Sequence, residues 1–428
     1  MEPEPGGTLM NFVFISPNFP SDYCRFCVCL KRNGVNVLGI GDESYDSLRP
    51  ELKEALTEYY KVDSFFDRDQ LIRAMGYLTF RYGKIDWVES NNEYWMETDA
   101  YLRTQFNITT GLKSEDISRY RSKSEMKKYY ALAGVPTARW ILCEDRDACA
   151  DFIRSVGYPV VVKPDRGVGA AATWKLKNDA EFTDFFDHLP RIPYIMEEFV
   201  KGEVTTFDGV CDSESNVLFA ASHTTVNSIM DMVNEGVPVF YYVHKQVAPD
   251  IRSAGERVLK AFDVKSRFFH LEFFRLTADR EGLGKKGDVI GLEVNMRPAG
   301  GFTPDMLNFS QSADCYQIWA DMVAFDGAVH DYPGKHYYCV CCGRRDEVNY
   351  TCSADEIAAL YPENICRMTR MPDALAGTMG NEIIIANFDT IEAADRFVRA
   401  AFSPVPAGIL TPDSAEPDET ETKGGIKA

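Results

Sequence analysis

Two stretches of this chain set ionisable groups at alternate positions among large apolar ones. In "GLEVNMRPAGG", Glu293, Asn295 and Arg297 alternate with Leu292, Val294 and Met296. In "FFHLEFF", His270, Glu272 and Phe274 share one side while Leu271 and Phe273 take the other. Successive side chains of a strand point to opposite faces, so each stretch has one apolar face and one chemically equipped face. A solvated edge is the plain reading of either stretch alone. A carboxylate such as Glu272 amid aromatic residues, however, rarely goes unpaired. If the two strands are neighbours, Glu272, Glu293 and Asn295 supply the hard oxygen ligands that Mg²⁺ takes alongside waters and phosphate oxygens. Arg297 would then hold a phosphoryl or carboxylate oxygen.

A second set of residues is suited to phosphate. In "YPVVVKPDRGVGAAATWKLKND", Val160–Val162 read as a buried strand that delivers Lys163, and "ATWKLK" alternates like a strand returning. The loop between them carries Gly167 and Gly169. It is not a dinucleotide fingerprint, because that motif must open into a helix, and no G-x-x-x-x-G-K-[ST] occurs anywhere. A glycine-rich hairpin beside a lysine can fold over phosphates through its backbone N–H groups, and the same pattern suits an ordinary flexible hairpin. Ser122-x-x-Glu125 reads as a capping box that opens a helix ended by Gly134 and Pro136. Lys123 then sits in the first turn, where the helix dipole disfavours a cation unless an anion is near. "PYIMEEFVKGEVTTFDGV" reads as strand, hinge and strand, able to offer backbone groups to an adenine edge and Glu203 to ribose hydroxyls; a solvated acidic turn fits it equally. His223, in "SHTTVNSIMDMVNEGVPVFYYVHKQV", is either a substrate-facing residue or a satisfied core histidine.

The elements that position these groups alternate along the chain. "NFVFI" (Asn11–Ile15), a helix over Asp22–Arg32 and "VNVLGI" form a β-α-β opening, continued by a helix at Arg68–Tyr82, a strand at "IDWVES" and a helix at Tyr94–Gln105. This predicts a small parallel sheet covered by helices, with the "ESNNE" loop beyond a strand's carboxyl end, where such sheets bind ligands. Toward the C-terminus, strands at "HYYCVCC" and "NEIIIANF" and a helix at "TIEAADRFVRAAF" predict a smaller α/β piece. The proline-rich, acidic tail reads as disordered.

Composition narrows the partners. With 46 Lys and Arg against 65 Asp and Glu, the net charge of −19 argues against wrapping nucleic acid or an anionic membrane, so an anionic ligand must be held by local cations. No apolar run reaches membrane-span length and "MEPEPGGTLM" is no signal peptide, which predicts a cytoplasmic protein. Twelve cysteines raise the question of metal, but neither "CRFCVC" (Cys24, Cys27, Cys29) nor "CVCC" (Cys339, Cys341, Cys342) has the paired C-x2-C spacing of a zinc ribbon. They read as core thiols.

Taken in order, the lysine before "AGVP", the "VVKP" lysine with its glycine loop, the "EEFVKGE" hinge and the paired "LEFF … LEVNMRP" resemble the ATP-grasp superfamily, which includes biotin carboxylase, carbamoyl phosphate synthetase and D-alanine–D-alanine ligase. The resemblance covers roughly residues 11 to 328. It implies an α/β, multi-domain ATP-grasp fold: a disordered N-terminus (1–10), a parallel-sheet pre-ATP-grasp domain (11–115), a lid subdomain (116–204), a metal-bearing subdomain (205–330), a C-terminal α/β domain (331–402) and a disordered tail (403–428). It implies ATP and Mg²⁺, with Mn²⁺ as the alternative ion. Lys123 and Lys163 would contact the ATP phosphates and Gly167 to Ala170 (Gly169 included) would form the lid. Glu197, Glu198, Phe199 and Val200 would line the adenine, and Glu203 the ribose. Glu272, Glu293 and Asn295 would hold the metal, with Arg297 and Lys163 at the reacting phosphoryl group. The implied activity is a carboxylate–amine ligase acting on small molecules through an acyl phosphate. A bicarbonate-using carboxylase or carbamoyl-phosphate type, or a non-catalytic ATP-binding regulator, is the alternative, and a homodimer is compatible with all three. One departure stands out: the two metal-bearing strands are joined by "RLTADREGLGKKGDVI", which would disturb the metal geometry if it folded inward.

Overall fold

Four short strands open the chain, Asn11–Ile15, Asn36–Gly41, Glu58–Lys61 and Trp87–Glu89, and every pair among them is parallel. Their Val13, Ile15, Leu38, Ile40 and Val88 are covered by Leu71, Ala74, Met75 and Leu78, which recur at helical spacing along the Arg68–Tyr82 helix. The expected parallel sheet is therefore present, with the additional strand Glu58–Lys61. The predicted Asp22–Arg32 helix is a 3₁₀ turn at Ser21–Tyr23 running into an α-helix at Cys24–Arg32. The structure, a computed structural model, describes residues 10–167, 172–225, 239–371, 376–377 and 379–403. Gly169 and Ala170 of the expected lid, residues 1–9 and residues 404–428 lie outside the described residues.

A second sheet is antiparallel and runs Trp140–Leu142, Tyr194–Glu198, Val160–Pro164 and Trp174–Leu176 in spatial order. Val160 and Val162 point into a core with Cys149, Ile153, Phe182 and Phe185. Period-2 alternation then sends Lys163 to the other face.

The third sheet carries the longest strands, Gly202–Cys211 and Arg267–Leu276, with Val289–Asn295 at its edge. Phe207, Phe269, Leu271, Phe273 and Val294 form its apolar face and pack on the helices Lys123–Leu132 and Pro249–Phe262. The opposite face is polar. The "RLTADREGLGKKGDVI" connector closes an antiparallel hairpin, and its Arg280 turns to Glu198 and the Val156 carbonyl. It leaves the carboxylate pair on the two strands alone.

The chain divides into two compact units, Met1–Thr224 with Tyr242–Cys339, and Thr225–Tyr241 with Val340–Ala428. In the second unit, Ile365–Arg370 pairs antiparallel with Glu382–Phe388, whose Ile383, Ile384, Ile385 and Ala386 are buried, as are Phe397 and Val398 of the Ile391–Ala401 helix. Both cysteine clusters are buried with their thiols free. Among the described residues, no helix is long and apolar enough to cross a membrane.

Candidate active site

Three lysines and two glutamates meet where the second and third sheets face the start of the Lys123–Leu132 helix. Lys163 and Glu197 lie on adjacent strands, in a register that pairs Val161 with Glu197 and Lys163 with Ile195. They are diagonal neighbours on one face, within reach of each other's long side chains. Glu197 is 4% exposed and takes Lys163 Nζ on one carboxylate oxygen and Lys127 Nζ on the other, each at 2.7 Å. Burial alone would raise its pKa, but the two ammonium groups hold it at about 2. The two lysines respond in opposite directions. Burial wins at Lys127 and lowers its pKa; at Lys163 the same burial is outweighed by Glu197, with Glu293 and Glu272 adding to it. Lys163 is the better supported cation.

Lys123 occupies the first turn of its helix, as the sequence predicts, and two anions lie near it. Its Nζ is 3.3 Å from Glu293 Oε1. Asp165, two residues past Lys163, accepts the Ser124 N–H at 2.8 Å and the Ser122 hydroxyl at 2.7 Å, and its carbonyl accepts the Lys123 N–H. A carboxylate at a helix N-terminus offsets the cost of the cation there. The capping box is half formed: Ser122 accepts from the Glu125 N–H, while the Glu125 side chain turns to Lys128 instead of back to the cap.

The two metal-candidate strands are adjacent and antiparallel, with Glu272 directly opposite Glu293 and His270 opposite Asn295. Tyr130 braces this pair from the apolar side, donating its hydroxyl to the carbonyls of Glu293 at 3.0 Å and Glu272 at 3.3 Å. Gly291 makes that approach feasible, since a Cβ there would lie 2.5 Å from the Tyr130 ring. Two facing carboxylates and an amide form an all-oxygen donor set. No group of three or more His, Cys, Asp and Glu is gathered into a cage among the described residues. That set fits Mg²⁺, which leaves part of its shell to waters and phosphate oxygens.

Arg297 reaches across to the loop that follows the Trp87–Glu89 strand. Its Nη2 and Nε donate to Glu93 Oε2 at 2.6 and 3.1 Å, and Arg121 takes the other oxygen at 2.8 Å. Burial works against the guanidinium, yet Glu93 more than compensates, so Arg297 stays charged. Tyr23, raised to about 12 by burial, feels the charge of Arg297 and donates to the Asn91 carbonyl.

Beyond the metal pair lies a polar chain that the residue patterns do not reveal. His270 Nε2 is 3.1 Å from Glu272 Oε1, and its Nδ1 is 2.6 Å from Asp208 Oδ1. The other oxygen of Asp208 meets His223 Nδ1 at 2.8 Å and the Thr206 hydroxyl at 2.5 Å. Burial opposes charge on His270, but Asp208 and Glu272 raise it to about 9. Asp208, despite its own burial, is held below the usual carboxylate range by the two imidazoles. Glu272 is lowered too, its burial offset by the hydrogen bond and charge of His270.

The remaining expected residues fall as follows. Glu198 is spent on structure, taking Arg139 at 2.7 Å and Arg280 at 3.1 Å. Phe199 carries Lys175 over its ring at 3.9 Å, and Val200 packs with Ala138, Leu276 and Ile290. Glu203 sits opposite Arg275 at the start of the long strand. Gly167 is two residues past Asp165 in the chain. The structure thus gathers Lys123, Lys163, Glu197, Glu272, Glu293 and Asn295, and Arg297 faces Glu93. Reading the sequence missed Lys127, although its place one turn after Lys123 puts it on the same helix face. It also missed Asp208, which alternates with Thr206 in "TTFDGV" and so shares its side.

The chain is similar in sequence and in fold to several known proteins. Residues 123–300 match the family model of the ATP-grasp domain. The L-arginine-specific L-amino acid ligase of Bacillus subtilis is 23% identical over 252 residues, covering 56% of this chain and 58% of that protein. The carbamoyl phosphate synthase large chain of Pyrococcus furiosus is 23% identical over 117 residues, covering 26% of this chain and 11% of that one. The chain therefore spans 58% of one curated relative and 11% of the other. Among solved structures, the L-amino acid ligase from Bacillus licheniformis superposes with a TM-score of 0.68 at 15% identity, covering 92% of this chain and 97% of that one. The biotin carboxylase domain of Hydrogenobacter thermophilus 2-oxoglutarate carboxylase, a complex with MgADP and bicarbonate, gives 0.66 at 15%, covering 93% and 90%. Residues 123–300 thus match an ATP-grasp domain, and the chain has the fold of these solved structures.

Proposed function

We propose that this protein is a Mg-ATP-dependent carboxylate–amine ligase that forms an amide or dipeptide-like bond and releases ADP and phosphate. The observation that carries this reading is the convergence of Lys123, Lys127 and Lys163 beside the facing carboxylates Glu272 and Glu293. Cations on one side and hard oxygen ligands on the other suit a triphosphate whose terminal phosphoryl group is transferred. Lys123 and Lys163 hold phosphate oxygens, and the 197–200 segment with Glu203 takes the nucleoside. Glu272, Glu293 and Asn295 hold Mg²⁺, which when bound neutralises charge on the phosphate oxygens. A substrate carboxylate oxygen bonds to the γ-phosphorus and the β–γ bridging bond breaks, giving an acyl phosphate and ADP. An amine then displaces phosphate from the acyl carbon. Arg297, kept charged and aimed by Glu93, steadies the transferring group. The relatives named as L-amino acid ligases favour amino acids as the acid and the amine.

A screen of carboxylic acids against amines, reading phosphate release and product mass, tests the proposal. ADP formation that depends on both an acid and an amine is expected. ATP turnover indifferent to every acid would refute it.

A further inference from the structure

Each of the two facing carboxylates has one oxygen already engaged. Glu293 Oε1 lies 3.3 Å from Lys123 Nζ, and Glu272 Oε1 lies 3.1 Å from His270 Nε2. The contact to His270 is the more firmly built. His270 is 5% exposed and stands two residues before Glu272 on the same face of their strand. In the register it lies directly opposite Asn295 on one side and Asp208 on the other. Its Nδ1 meets Asp208 Oδ1 at 2.6 Å. The other Asp208 oxygen takes the Thr206 hydroxyl at 2.5 Å and His223 Nδ1 at 2.8 Å, so Asp208 is itself anchored. The His223 ring stacks on that of His270 at 5.6 Å and 14°. The imidazole is therefore held at both nitrogens and against one face, and it cannot swing away from Glu272.

We propose that His270 sets the metal preference of the site by confining Glu272 to one-oxygen ligation, with Asp208 fixing the ring that does so. The proposal rests on the reading of Glu272, Glu293 and Asn295 as the metal ligands. The terminal torsion of a glutamate is soft, so an unheld carboxylate turns readily between presenting one oxygen and presenting both. An ionised carboxylate oxygen can only accept, so the Nε2 hydrogen of His270 is directed at Glu272 Oε1. That bond stops the turn.

The two common divalent ions feel this restraint differently. Mg²⁺ takes about six oxygens in near-ideal octahedral geometry, which has no place for the narrow bite of a two-oxygen carboxylate. It loses nothing when Glu272 is locked. Ca²⁺ takes about six to eight oxygens at longer distances and commonly draws both oxygens of a carboxylate. The locked Glu272 denies it the second one. His270 is thus a positioning residue that discriminates by ligand number, since the two ions carry the same charge.

Two substitutions separate the bond to Glu272 from everything else His270 does. The amide nitrogen of glutamine reaches the place of Nε2, and that of asparagine the place of Nδ1. His270→Gln therefore keeps a donor on Glu272, whereas His270→Asn keeps one on Asp208 and releases Glu272. Binding of the non-hydrolysable analogue adenylyl imidodiphosphate is measured by equilibrium dialysis for wild type and both variants, in saturating Mg²⁺, in saturating Ca²⁺ and in EDTA. Wild type should bind it more tightly with Mg²⁺ than with Ca²⁺. Outer-shell partners are worth about 10–100-fold in metal affinity, so this preference should fall at least about tenfold in His270→Asn. In His270→Gln it should stay near the wild-type value. A histidine that merely supports the fold would weaken binding with both ions alike. Equal affinity for the two ions in wild type, an unchanged preference in His270→Asn, or an equal loss of preference in both variants overturns the role of His270 and leaves the metal reading standing. A crystal structure of wild type with the analogue and Ca²⁺ decides the point without a variant: one Glu272 oxygen on the ion is expected, and both on the ion would overturn the proposal. Wild type that binds no more tightly with either ion than in EDTA overturns the metal reading and this proposal together.

Discussion

Glu197 offers the sharpest energetic test, because its environment is defined on both oxygens. Replacing it with glutamine leaves the ammonium groups of Lys127 and Lys163 buried without the carboxylate that each meets at 2.7 Å. Its carboxyl is held at about 2 against an ordinary 4.5. At about 1.36 kcal/mol per tenfold change, that difference corresponds to about 3 kcal/mol. Breaking a buried pair by removing one partner costs about 3–5 kcal/mol, which agrees. The sign follows from the direction: a depressed carboxyl stabilises the fold fully above its unfolded pKa, and the contribution disappears as pH falls toward the folded value. Urea unfolding of wild type and Glu197→Gln should therefore differ by about 3 kcal/mol at pH 7, and the gap should close between pH 4.5 and pH 2. A difference under about 0.5 kcal/mol at pH 7 would refute the claim that the lysines depend on this carboxylate.

Three further outcomes follow from the same geometry. Glu293→Gln and Asn295→Ala should each lose most ATP turnover at saturating Mg²⁺, a cost of a few kcal/mol in the barrier, while circular dichroism stays native; near wild-type rates in both would sink the metal assignment. Gly291→Ala should destabilise the protein and weaken Mn²⁺ binding measured by electron paramagnetic resonance, because its Cβ would meet the Tyr130 ring that braces Glu272 and Glu293; unchanged affinity would mean that the brace is dispensable. Of the twelve thiols, Cys352 and Cys366, the two that are not buried, should react first with a thiol reagent, and the other ten only after unfolding.

Local pattern made much of the framework legible. The Arg68–Tyr82 helix and the strand that delivers Lys163 follow from periodicity, since each buries one face against a core. Alternation in "LEFF" and "LEVN" also suggested that Glu272 and Glu293 would face each other, because a carboxylate among aromatics needs company. Pairings that depend on register or on a third element were not legible. Glu197 reaches Lys127 on a helix and Lys163 on a diagonal strand position, and no spacing along the chain encodes that meeting. Asp208 looked like one more polar residue until strand pairing brought His223 and His270 to its two oxygens. Arg297 likewise finds Glu93 from a position 204 residues away. The half-formed cap at Ser122 has a similar cause, since the Ser122 N–H that Glu125 would accept goes to the Ser118 carbonyl, and Asp165 reaches in from a distance to take the Ser122 hydroxyl and the Ser124 N–H.

The central claim is that a substrate carboxylate attacks the terminal phosphorus of ATP at this site. An acid labelled with ¹⁸O in its carboxylate, incubated with amine, ATP and Mg²⁺, tests it most directly. Attack through the acyl phosphate transfers one labelled oxygen to the released phosphate, with ADP as the other product, and that is the expected result. Phosphate free of label, or AMP and pyrophosphate in place of ADP, would contradict the account.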